Sequence, residues 1–326
     1  MPNIMLTERC NLHCPYCFAS EYTNHPCHEI SMQNFVHAVQ FVMKDDSKTK
    51  LGIIGGEPTL YSHFAEVLDY LEKEDKVRHA VIFTNGILLS RFLNHVVSDK
   101  LVFLINCNSP QDIGLANFKH MEESIDTLVN QKNMRNNTML GLNIYRDDMN
   151  ISFYIDLLKK YQFRYARISV VVPSDMEKYS GPFDYFTQMK PILMRVFHEM
   201  ADIGVLPNYD CNRIPLCMWT ESEREQIRNL FGQRMCHSNI LSDTVKCSPT
   251  IDIDTDLQVI RCFGFSDGPK ISLESCKDVS SLKQFFIEKV DQKYKRDTCD
   301  RSFSCNFSSN CVKECYGGCL AFRTIG

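Results

Sequence analysis

The stretch that decides the fold of this chain reads CNLHCPYC at residues 10–17, directly after a short apolar run at residues 4–7. Its cysteines, Cys10, Cys14 and Cys17, are separated by three and by two intervening residues. Three thiolates can hold three irons of a cubane iron–sulfur cluster and leave the fourth iron open. Structural metal sites are usually closed by four protein ligands, whereas catalytic sites keep one position free. The stretch therefore predicts an open 4Fe–4S cluster whose free iron binds a further ligand.

The composition is that of a globular protein and excludes several classes of function. Of the 326 residues, 44% are hydrophobic and 23% are charged, and the net charge is −4. Because the sequence has no dense basic run, its charge does not indicate binding to nucleic acid. No apolar stretch approaches the roughly 20 residues that a membrane span needs. The residues before Cys10 hold no hydrophobic signal region, so we expect a cytoplasmic protein.

The cysteine content is exceptional for such a chain. Sixteen cysteines without a secretion signal favour metal binding over a disulfide scaffold. Three of them fall within residues 10–17 and five within residues 299–319. We therefore expect a metal-binding region towards each end of the chain, with disulfides as the alternative.

Strand and helix patterns alternate along the first two thirds of the chain. Apolar runs predict six strands, at residues 4–7, 51–54, 80–83, 101–105, 139–145 and 166–172. Amphipathic segments predict helices at residues 31–44, 64–74, 90–97, 124–134, 151–161 and 183–203. Alternating strands and helices make a parallel sheet, either doubly wound or barrel-like. Polar residues and glycines follow strand after strand, as in barrels. We therefore predict an α/β fold, a partial (β/α)6 barrel, at residues 1–204.

Four of the predicted strands end in residues suited to a binding site. The second is followed by GGEP at residues 55–58 and the third by TNG at residues 84–86. The fourth ends in Asn106 and Asn108, and the fifth contains Asn143 near its end. Asparagine amides can hydrogen-bond ribose or carboxylate oxygens, and a turn or cap role is the alternative for each of them.

With these motifs in these places, the chain resembles the radical S-adenosylmethionine (radical SAM) superfamily. The resemblance implies that Cys10, Cys14 and Cys17 bind a 4Fe–4S cluster whose open iron is chelated by the amine and carboxylate of S-adenosylmethionine (SAM). An electron from the cluster would cleave SAM to methionine and a 5′-deoxyadenosyl radical, which abstracts hydrogen from the substrate. Gly55 and Gly56 would let the backbone approach the methionine amine closely. On this basis the further candidates for cofactor binding are Tyr16, Glu57, Asn85, Asn106 and Asn143.

The C-terminal part resembles the SPASM or twitch extensions of the same superfamily, which carry auxiliary 4Fe–4S clusters. We expect a bridging segment at residues 205–235, irregular up to residue 219, and this auxiliary domain at residues 236–326, with a hairpin at residues 251–260. The cysteines that would ligate one or two auxiliary clusters are Cys236, Cys247, Cys262, Cys299, Cys305, Cys311, Cys315 and Cys319.

Two features depart from the pattern of these extensions. Leu257 replaces the usual glycine five residues before Cys262. In the tail, five and three residues separate successive cysteines from Cys305 to Cys315, where the family usually has two and five. A zinc ribbon is the alternative interpretation of the tail.

Three further residues are candidates for catalysis. Cys107 ends the fourth predicted strand, where a thiol could return a hydrogen atom to a substrate radical. A buried free cysteine is the commoner explanation for such a residue. Cys211 is a second candidate hydrogen donor, or could instead ligate an auxiliary cluster, and Asp210 is a candidate general base.

The resemblance implies a function, because auxiliary-cluster domains of this kind most often accompany peptide or protein modification. The leading hypothesis is an oxidoreductase-type maturase that forms a thioether or carbon–carbon crosslink in a ribosomally made peptide. Peptide epimerisation and anaerobic sulfatase maturation are alternatives. A small-molecule radical SAM enzyme also stays open, as does a non-catalytic iron–sulfur scaffold or electron-transfer protein, which would not need GGEP.

The expected partners follow from this chemistry. They are a peptide or protein substrate and an electron donor such as flavodoxin or ferredoxin, without nucleic acid or membrane. Only nine residues precede Cys10, too few for the N-terminal leader-binding module of many peptide-modifying relatives. We therefore expect leader recognition to come from elsewhere, for example from a separate leader-peptide-binding protein.

Overall fold

The computed structural model describes residues 1–17, 28–44, 49–173, 175, 178–242, 247–293 and 319–322. The chain divides into two compact units, residues 1–139 with 248–290 and residues 140–247 with 291–326. The domain limits expected after residues 204 and 235 stay predictions. Within the described ranges, no helix is long and apolar enough to cross a membrane.

The first unit is built on four parallel strands that follow one another in the chain. They are β1 (Asn3–Met5), β2 (Thr49–Ile54), β3 (Val77–Thr84) and β4 (Leu101–Asn106), and they pair in that order. The helices of the first unit up to residue 126 are α1 (Met32–Val42), α2 (Phe64–Lys73), α3 (Pro110–Ile113) and α4 (Leu115–Asp126). The strands predicted in this part of the chain are confirmed.

Two of the predicted helices differ from what is observed. The helix expected at residues 90–97 is a 3-10 helix, Leu89–His95. The helix expected at residues 124–134 begins nine residues earlier, as α4, and continues as a π-helical turn, Thr127–Gln131. The start of α4 was missed because the apolar residues of its first turns do not form a buried stripe, and Leu115 is 61% exposed.

Local sequence explains where α1 begins and which face it buries. The Ser31 side chain accepts a hydrogen bond from the Asn34 amide at 3.1 Å, so the predicted N-cap is confirmed. Phe35 and Val39 of α1 are completely buried. Burial of each such side chain stabilises the fold by roughly 1.5–3 kcal/mol. The Phe35 ring meets Tyr70 of α2 edge-on, with ring centroids 5.8 Å apart.

The second unit is built on three parallel strands. They are β5 (Thr138–Ile144), β6 (Tyr165–Val170) and β7 (Leu206–Tyr209), paired in that order. Its helices are α5 (Ser152–Lys160), α6 (Pro182–Asp202), which runs through Pro191, and α7 (Glu221–Phe231). The α/β class with mostly parallel strands is thus confirmed.

Strand β7 corrects the expectation that residues 205–219 are irregular throughout. It was missed because Pro207 lacks an amide hydrogen and argues against a central strand. The outer side of β7 is instead covered by two side chains. Asn239 accepts from the Tyr209 amide at 2.7 Å and donates to the Tyr209 carbonyl at 2.8 Å, and Ser238 donates to the Pro207 carbonyl at 2.6 Å. These bonds occupy backbone groups at the outer edge of β7 that could otherwise pair with another strand.

The predicted hairpin is confirmed and belongs to the first unit. It consists of β8 (Asp252–Ile253) and β9 (Gln258–Ile260), extended by β10 (Ile271–Ser272) and followed by α8 (Val279–Phe286). On its other side β8 pairs in parallel with β1, with Ile253 opposite Ile4. The hairpin therefore extends the sheet of the first unit, which its local pattern did not reveal.

Leu257, the residue that departs from the family pattern, has an uncommon backbone conformation. It lies in the turn between β8 and β9 with a φ of 59°, in the left-handed region. This region costs a residue with a Cβ roughly 1–2 kcal/mol, whereas glycine adopts it readily. The glycine usual at this position of the family thus has a conformational explanation.

We expect Leu257→Gly to be more stable than Leu257→Ala by about 1 kcal/mol. Both substitutions remove the half-buried leucine side chain, but only glycine relieves the left-handed strain. Urea unfolding of the two variants side by side measures the difference. Equal stabilities would contradict the strain that we infer at this turn.

Asp252 makes the attachment of the hairpin sensitive to pH. Its carboxyl is 3% exposed and accepts from Asn3 Nδ2 at 2.6 Å and from the Phe263 amide at 2.9 Å. Burial raises the pKa of Asp252 from 3.8 to about 7, although both hydrogen bonds oppose the shift. Between about pH 4 and pH 7 the folded chain therefore holds a proton on Asp252 that the unfolded chain has lost. Protonation of Asp252 thus stabilises the fold at low pH, and this stabilisation is lost as pH rises through that window.

Asp252→Asn is expected to remove this pH dependence. Relative to the wild type, the free energy of unfolding of the variant should rise by about 3 kcal/mol between about pH 5 and pH 8. Any hydrogen bond lost on substitution adds an offset that does not depend on pH. Denaturant unfolding of both proteins across this range tests the prediction, and parallel pH profiles would refute it.

Candidate active site

The cysteine loop follows β1 and is fastened to the turn after β2. The Gly56 amide donates to the Thr7 carbonyl at 2.8 Å, and the Glu57 amide donates to the Arg9 carbonyl at 2.7 Å. Within the loop, the Cys17 amide donates to the Cys14 carbonyl at 3.0 Å. The two motifs that the sequence singled out therefore lie side by side, joined by backbone hydrogen bonds.

Glycine is required at positions 55 and 56 because the two segments lie so close. A Cβ on Gly55 would stand 2.7 Å from the Thr7 carbonyl oxygen. A Cβ on Gly56 would stand 2.4 Å from the Arg9 carbonyl oxygen and 2.6 Å from that of Glu8. These glycines thus admit the backbone that leads into the cysteines. The expected approach to the methionine amine of SAM stays a prediction.

Glu57 is the centre of a buried hydrogen-bond network. It is 1% exposed and accepts from the Thr59 hydroxyl at 2.7 Å, the Thr84 hydroxyl at 2.6 Å and the Asn85 amide at 2.7 Å. The Thr59 amide is a fourth donor, at 3.2 Å. Burial raises the pKa of Glu57, and the hydrogen bonds oppose that shift. The carboxyl therefore joins the end of β3 to the turn after β2.

Asn85 extends this network to the cysteine loop. Its side-chain amide donates to Asn11 Oδ1 at 2.8 Å. Asn11 was not singled out in the sequence, although it lies between Cys10 and Cys14. The structure thus brings together CNLHCPYC, GGEP and TNG within the first unit. Cofactor binding by Glu57 and Asn85 stays a prediction.

Tyr16 joins the cysteine loop to the residues after β4. Its hydroxyl donates to Asn108 Oδ1, and its position beside Cys14 opposes the rise in the pKa of that thiol. Asn106 is half-buried at the end of β4. Cys107 is buried, and its thiol donates to the Ile105 carbonyl at 3.5 Å. Its proposed role as a hydrogen donor stays a prediction.

The three cysteine thiols of the loop are half-buried and influence one another. Burial raises the pKa of Cys10 to about 12, and Glu57, Cys14 and Cys17 add to the increase. Burial likewise raises the pKa of Cys14 to about 11. Across the described ranges, no three His, Cys, Asp or Glu side chains already converge on one ion position. Three neighbouring thiols on one fastened loop fit a cluster with three protein ligands, and iron binding would release their protons.

The second unit brings Asn143 and Asp210 together through Arg167. The guanidinium donates from Nη1 to Asn143 Oδ1 at 2.9 Å and from Nη2 to Asp210 Oδ2 at 2.6 Å. Burial alone would lower the pKa of Arg167, but the Asp210 carboxylate raises it. Sequence reasoning missed Arg167, although a cation inside an apolar strand was a usable signal. Cys211 is exposed, and its role and that of Asp210 stay predictions.

The structure describes four of the eight cysteines expected to bind auxiliary clusters. Cys236 is exposed, Cys247 and Cys262 are half-buried, and Cys319 is buried. Cys299, Cys305, Cys311 and Cys315 lie outside the described residues. The complete ligand set therefore stays a prediction.

Comparison with known proteins gives a family match over part of the chain and a shared fold over nearly all of it. Residues 4–103 match the family model of the radical SAM superfamily. A GTP 3′,8-cyclase from Thermodesulfovibrio yellowstonii is 29% identical over 141 residues, 43% of this chain and 38% of that protein. The chain thus spans less than two fifths of this curated relative.

Two solved structures resemble the chain over nearly its whole length. SuiB from Streptococcus suis, bound to precursor peptide SuiA, has a TM-score of 0.58 at 15% identity, covering 98% of this chain and 71% of that one. The protein anSMEcpe, with bound AdoMet and Kp18Cys peptide, has a TM-score of 0.64 at 17% identity, covering 98% and 89%. At such low identities the likeness establishes a shared fold.

Proposed function

We propose that this chain modifies a peptide or protein by radical chemistry. Residues 4–103 match the family model of the radical SAM superfamily, whose enzymes use a 4Fe–4S cluster and SAM. The observation that carries the proposal is the fold similarity over 98% of the chain to SuiB and anSMEcpe, whose structures both contain peptides. The cysteine-rich C-terminal part supports it, because it resembles the auxiliary-cluster extensions of peptide-modifying relatives.

The first unit supplies the residues that would hold the cofactors. Cys10, Cys14 and Cys17 would bind the cluster, and Tyr16, Gly55, Gly56, Glu57, Asn85 and Asn106 would bind or border SAM. When bound, cluster and SAM together supply a 5′-deoxyadenosyl radical for hydrogen abstraction. In the second unit, Asn143 remains a candidate for cofactor binding.

The chain's own contribution is positioning and exclusion of water. The Glu57 network fixes Asn85 and, through Asn11, the cysteine loop. Tyr16 holds the same loop against Asn108. A catalytic group displaced by about 1 Å can lose about 100-fold in rate, so these bonds bear directly on turnover.

Formation of a thioether or carbon–carbon crosslink is the reaction we favour within this class. Such a crosslink removes two hydrogens from the peptide. The first would leave as a hydrogen atom and the second as a proton released to solvent, while an auxiliary cluster would accept the remaining electron. Epimerisation is redox-neutral and would need a hydrogen donor, for which Cys107 and Cys211 are the candidates. Maturation of a sulfatase is the remaining alternative.

The GTP 3′,8-cyclase similarity supports a second candidate, a radical SAM enzyme that acts on a small molecule. That similarity covers 43% of the chain in this enzyme and 63% in a GTP 3′,8-cyclase that is 22% identical, against the 98% covered by the structural likeness. A non-catalytic iron–sulfur scaffold would leave the close packing of Gly55, Gly56 and Glu57 on the cysteine loop without a chemical role.

The proposal is tested by anaerobic incubation of the reconstituted protein with SAM and a reductant. The substrates offered are peptides encoded by neighbouring short reading frames, a sulfatase-derived peptide and GTP. We expect 5′-deoxyadenosine together with a peptide that has lost two hydrogens. The matched control is the variant with alanine at Cys10, Cys14 and Cys17. Turnover of GTP alone would favour the small-molecule enzyme, and absence of 5′-deoxyadenosine with every substrate would favour the scaffold.

A further inference from the structure

The sheet of the second unit has one apolar face and one polar face. Successive side chains of a strand point to opposite faces of a sheet. On one face of β5 and β6 the side chains are apolar and buried, among them Leu140, Leu142, Ala166 and Ile168. The opposite face carries polar side chains that are half-buried, namely Asn143, Arg167 and Asn208. The three parallel strands thus hold hydrogen-bonding side chains on a face that is not part of the apolar core.

Arg167 of β6 links the two neighbouring segments across this polar face. In register it lies opposite Gly141 of β5 and Asn208 of β7. Its guanidinium reaches two residues further along each neighbour. Nη1 donates to Asn143 Oδ1 at 2.9 Å, and Nη2 donates to Asp210 Oδ2 at 2.6 Å. Gly141 has no side chain that could compete for the space beside the guanidinium.

Asp210 is held at one carboxylate oxygen and accessible at the other. Nε and Nη2 of Arg167 both donate to Oδ2, at 3.2 and 2.6 Å, and the Asp210 amide donates to the Ile168 carbonyl at 3.0 Å. The Asp210 side chain is nevertheless 42% exposed. In the part of the chain that the structure describes, no donor contacts Oδ1. One oxygen therefore fixes the carboxylate, and the other can accept a hydrogen bond from a ligand.

The charges of this pair indicate the kind of ligand. A guanidinium stays protonated in a protein, and the Asp210 carboxylate raises the pKa of Arg167 further. Arg167 would repel a cationic ligand at Oδ1, and Asp210 itself would repel an anionic one. A neutral N–H group meets neither repulsion, and its hydrogen bond to a charged acceptor is stronger than one between neutral groups. A peptide main chain offers such a group at every residue except proline.

We propose that Asp210 is a substrate-binding residue whose Oδ1 accepts a hydrogen bond from a main-chain N–H of the substrate peptide, and that Arg167 is the residue that positions it. This inference rests on the proposed function, because it needs a peptide substrate. The role differs from that of a general base, since an acceptor keeps its charge through the reaction whereas a base takes up a proton. Asp210 then contributes to the affinity for the peptide and not to the rate of the bound complex.

The experiment uses the full-length reconstituted protein and a peptide that it modifies, from the set encoded by neighbouring short reading frames. The probes are this peptide with a fluorescent label and a series in which one main-chain nitrogen at a time is methylated. Fluorescence anisotropy gives Kd, and product formation gives kcat and KM. Equilibrium dialysis without peptide gives the affinity for SAM.

Three variants separate peptide binding from structure. In Asp210→Asn the amide oxygen can stay with Arg167, which leaves an NH2 group in place of Oδ1. Arg167→Lys keeps the charge but lacks the planar fork that joins Asn143 to Asp210. Glu221→Ala is the matched control, since its carboxylate also pairs with an arginine, Arg228 at 3.1 Å, but on the exposed surface of α7.

We expect Asp210→Asn to raise Kd and KM about tenfold, as for the loss of a hydrogen bond to a charged group, and to leave kcat nearly unchanged. One N-methyl position should weaken wild-type binding by a similar factor and have no further effect in Asp210→Asn, which identifies the N–H that is bound. Arg167→Lys should give a smaller increase in Kd and Glu221→Ala none. If Asp210→Asn does not fold, the N-methyl series on Arg167→Lys carries the comparison.

Three results would overturn the inference and leave the proposed function standing. The first is a wild-type Kd in Asp210→Asn. The second is a loss of kcat at unchanged Kd, which would make Asp210 a general base. The third is a loss of SAM affinity in the absence of peptide, which would place Asp210 at the cofactor. If the wild-type protein modifies none of the peptides offered, the proposed function fails and this inference fails with it.

Discussion

Replacing Gly56 by alanine lowers the rate of 5′-deoxyadenosine formation by about 100-fold. The added Cβ would stand 2.4 Å from the Arg9 carbonyl oxygen, and real Cβ atoms essentially never approach within 3.0 Å. Since the neighbour is backbone, no side-chain rotation can relieve the clash. The segment that leads into Cys10 must move, and with it the ligands of the cluster.

Two further glycine variants make this prediction specific. Gly55→Ala brings its Cβ 2.7 Å from the Thr7 carbonyl oxygen and should have a smaller but clear effect. Gly204→Ala meets no heavy atom within 4 Å and carries only the cost of a positive φ. Iron content, visible absorbance and 5′-deoxyadenosine should therefore fall in the order Gly204→Ala, Gly55→Ala, Gly56→Ala. Wild-type iron content and turnover in Gly56→Ala would show that the two segments are not rigidly joined.

Replacing Glu57 by alanine is expected to reduce the free energy of unfolding by about 3–5 kcal/mol. The carboxyl is 1% exposed and accepts four hydrogen bonds, whose donors would be left buried without an acceptor. The same change releases Asn85 and the cysteine loop, so 5′-deoxyadenosine formation should fall as well.

Glu72 provides a matched control for this substitution. Glu72 is half-buried, and its carboxylate accepts three solvent-exposed hydrogen bonds, from the Val97 and Ser98 amides and the Ser98 hydroxyl. After Glu72→Ala these donors can turn to water, so the loss should be about 1 kcal/mol or less. Denaturant unfolding compares the two. If Glu57→Ala does not fold, Glu57→Gln takes its place, because an amide nitrogen cannot accept from the Asn85 amide. If both alanine variants lost the same free energy of unfolding, burial of Glu57 would not increase the cost of removing its carboxyl.

Local patterns predicted much of the fold. The apolar runs placed β2, β3 and β4 correctly, Ser31 correctly marked the start of α1, and the alternation at residues 251–260 indicated the hairpin. Each of these signals lies within a few residues of the feature that it predicts. The exposed beginning of α4 carried a weaker local pattern, and there the prediction started too late.

What the local patterns did not reveal depends on contacts between distant residues. Strand β7 contains Pro207 and is stabilised at its edge by Asn239, thirty residues along the chain. The pairing of β8 with β1 joins residues about 250 positions apart, as between Asn3 and Asp252. Tertiary packing decides which parallel strands pair, and the sequence of one strand does not identify its partner.

By itself, then, the sequence determined the α/β class and singled out Cys10, Cys14 and Cys17 and the motif at residues 55–58. Those features depend on residue type and on short spacings along the chain. Only the tertiary structure decided why the glycines are needed, what Glu57 holds, and that the half-buried Arg167 joins Asn143 to Asp210. Each of these depends on how closely two separate segments approach, which is a property of packing and not of spacing.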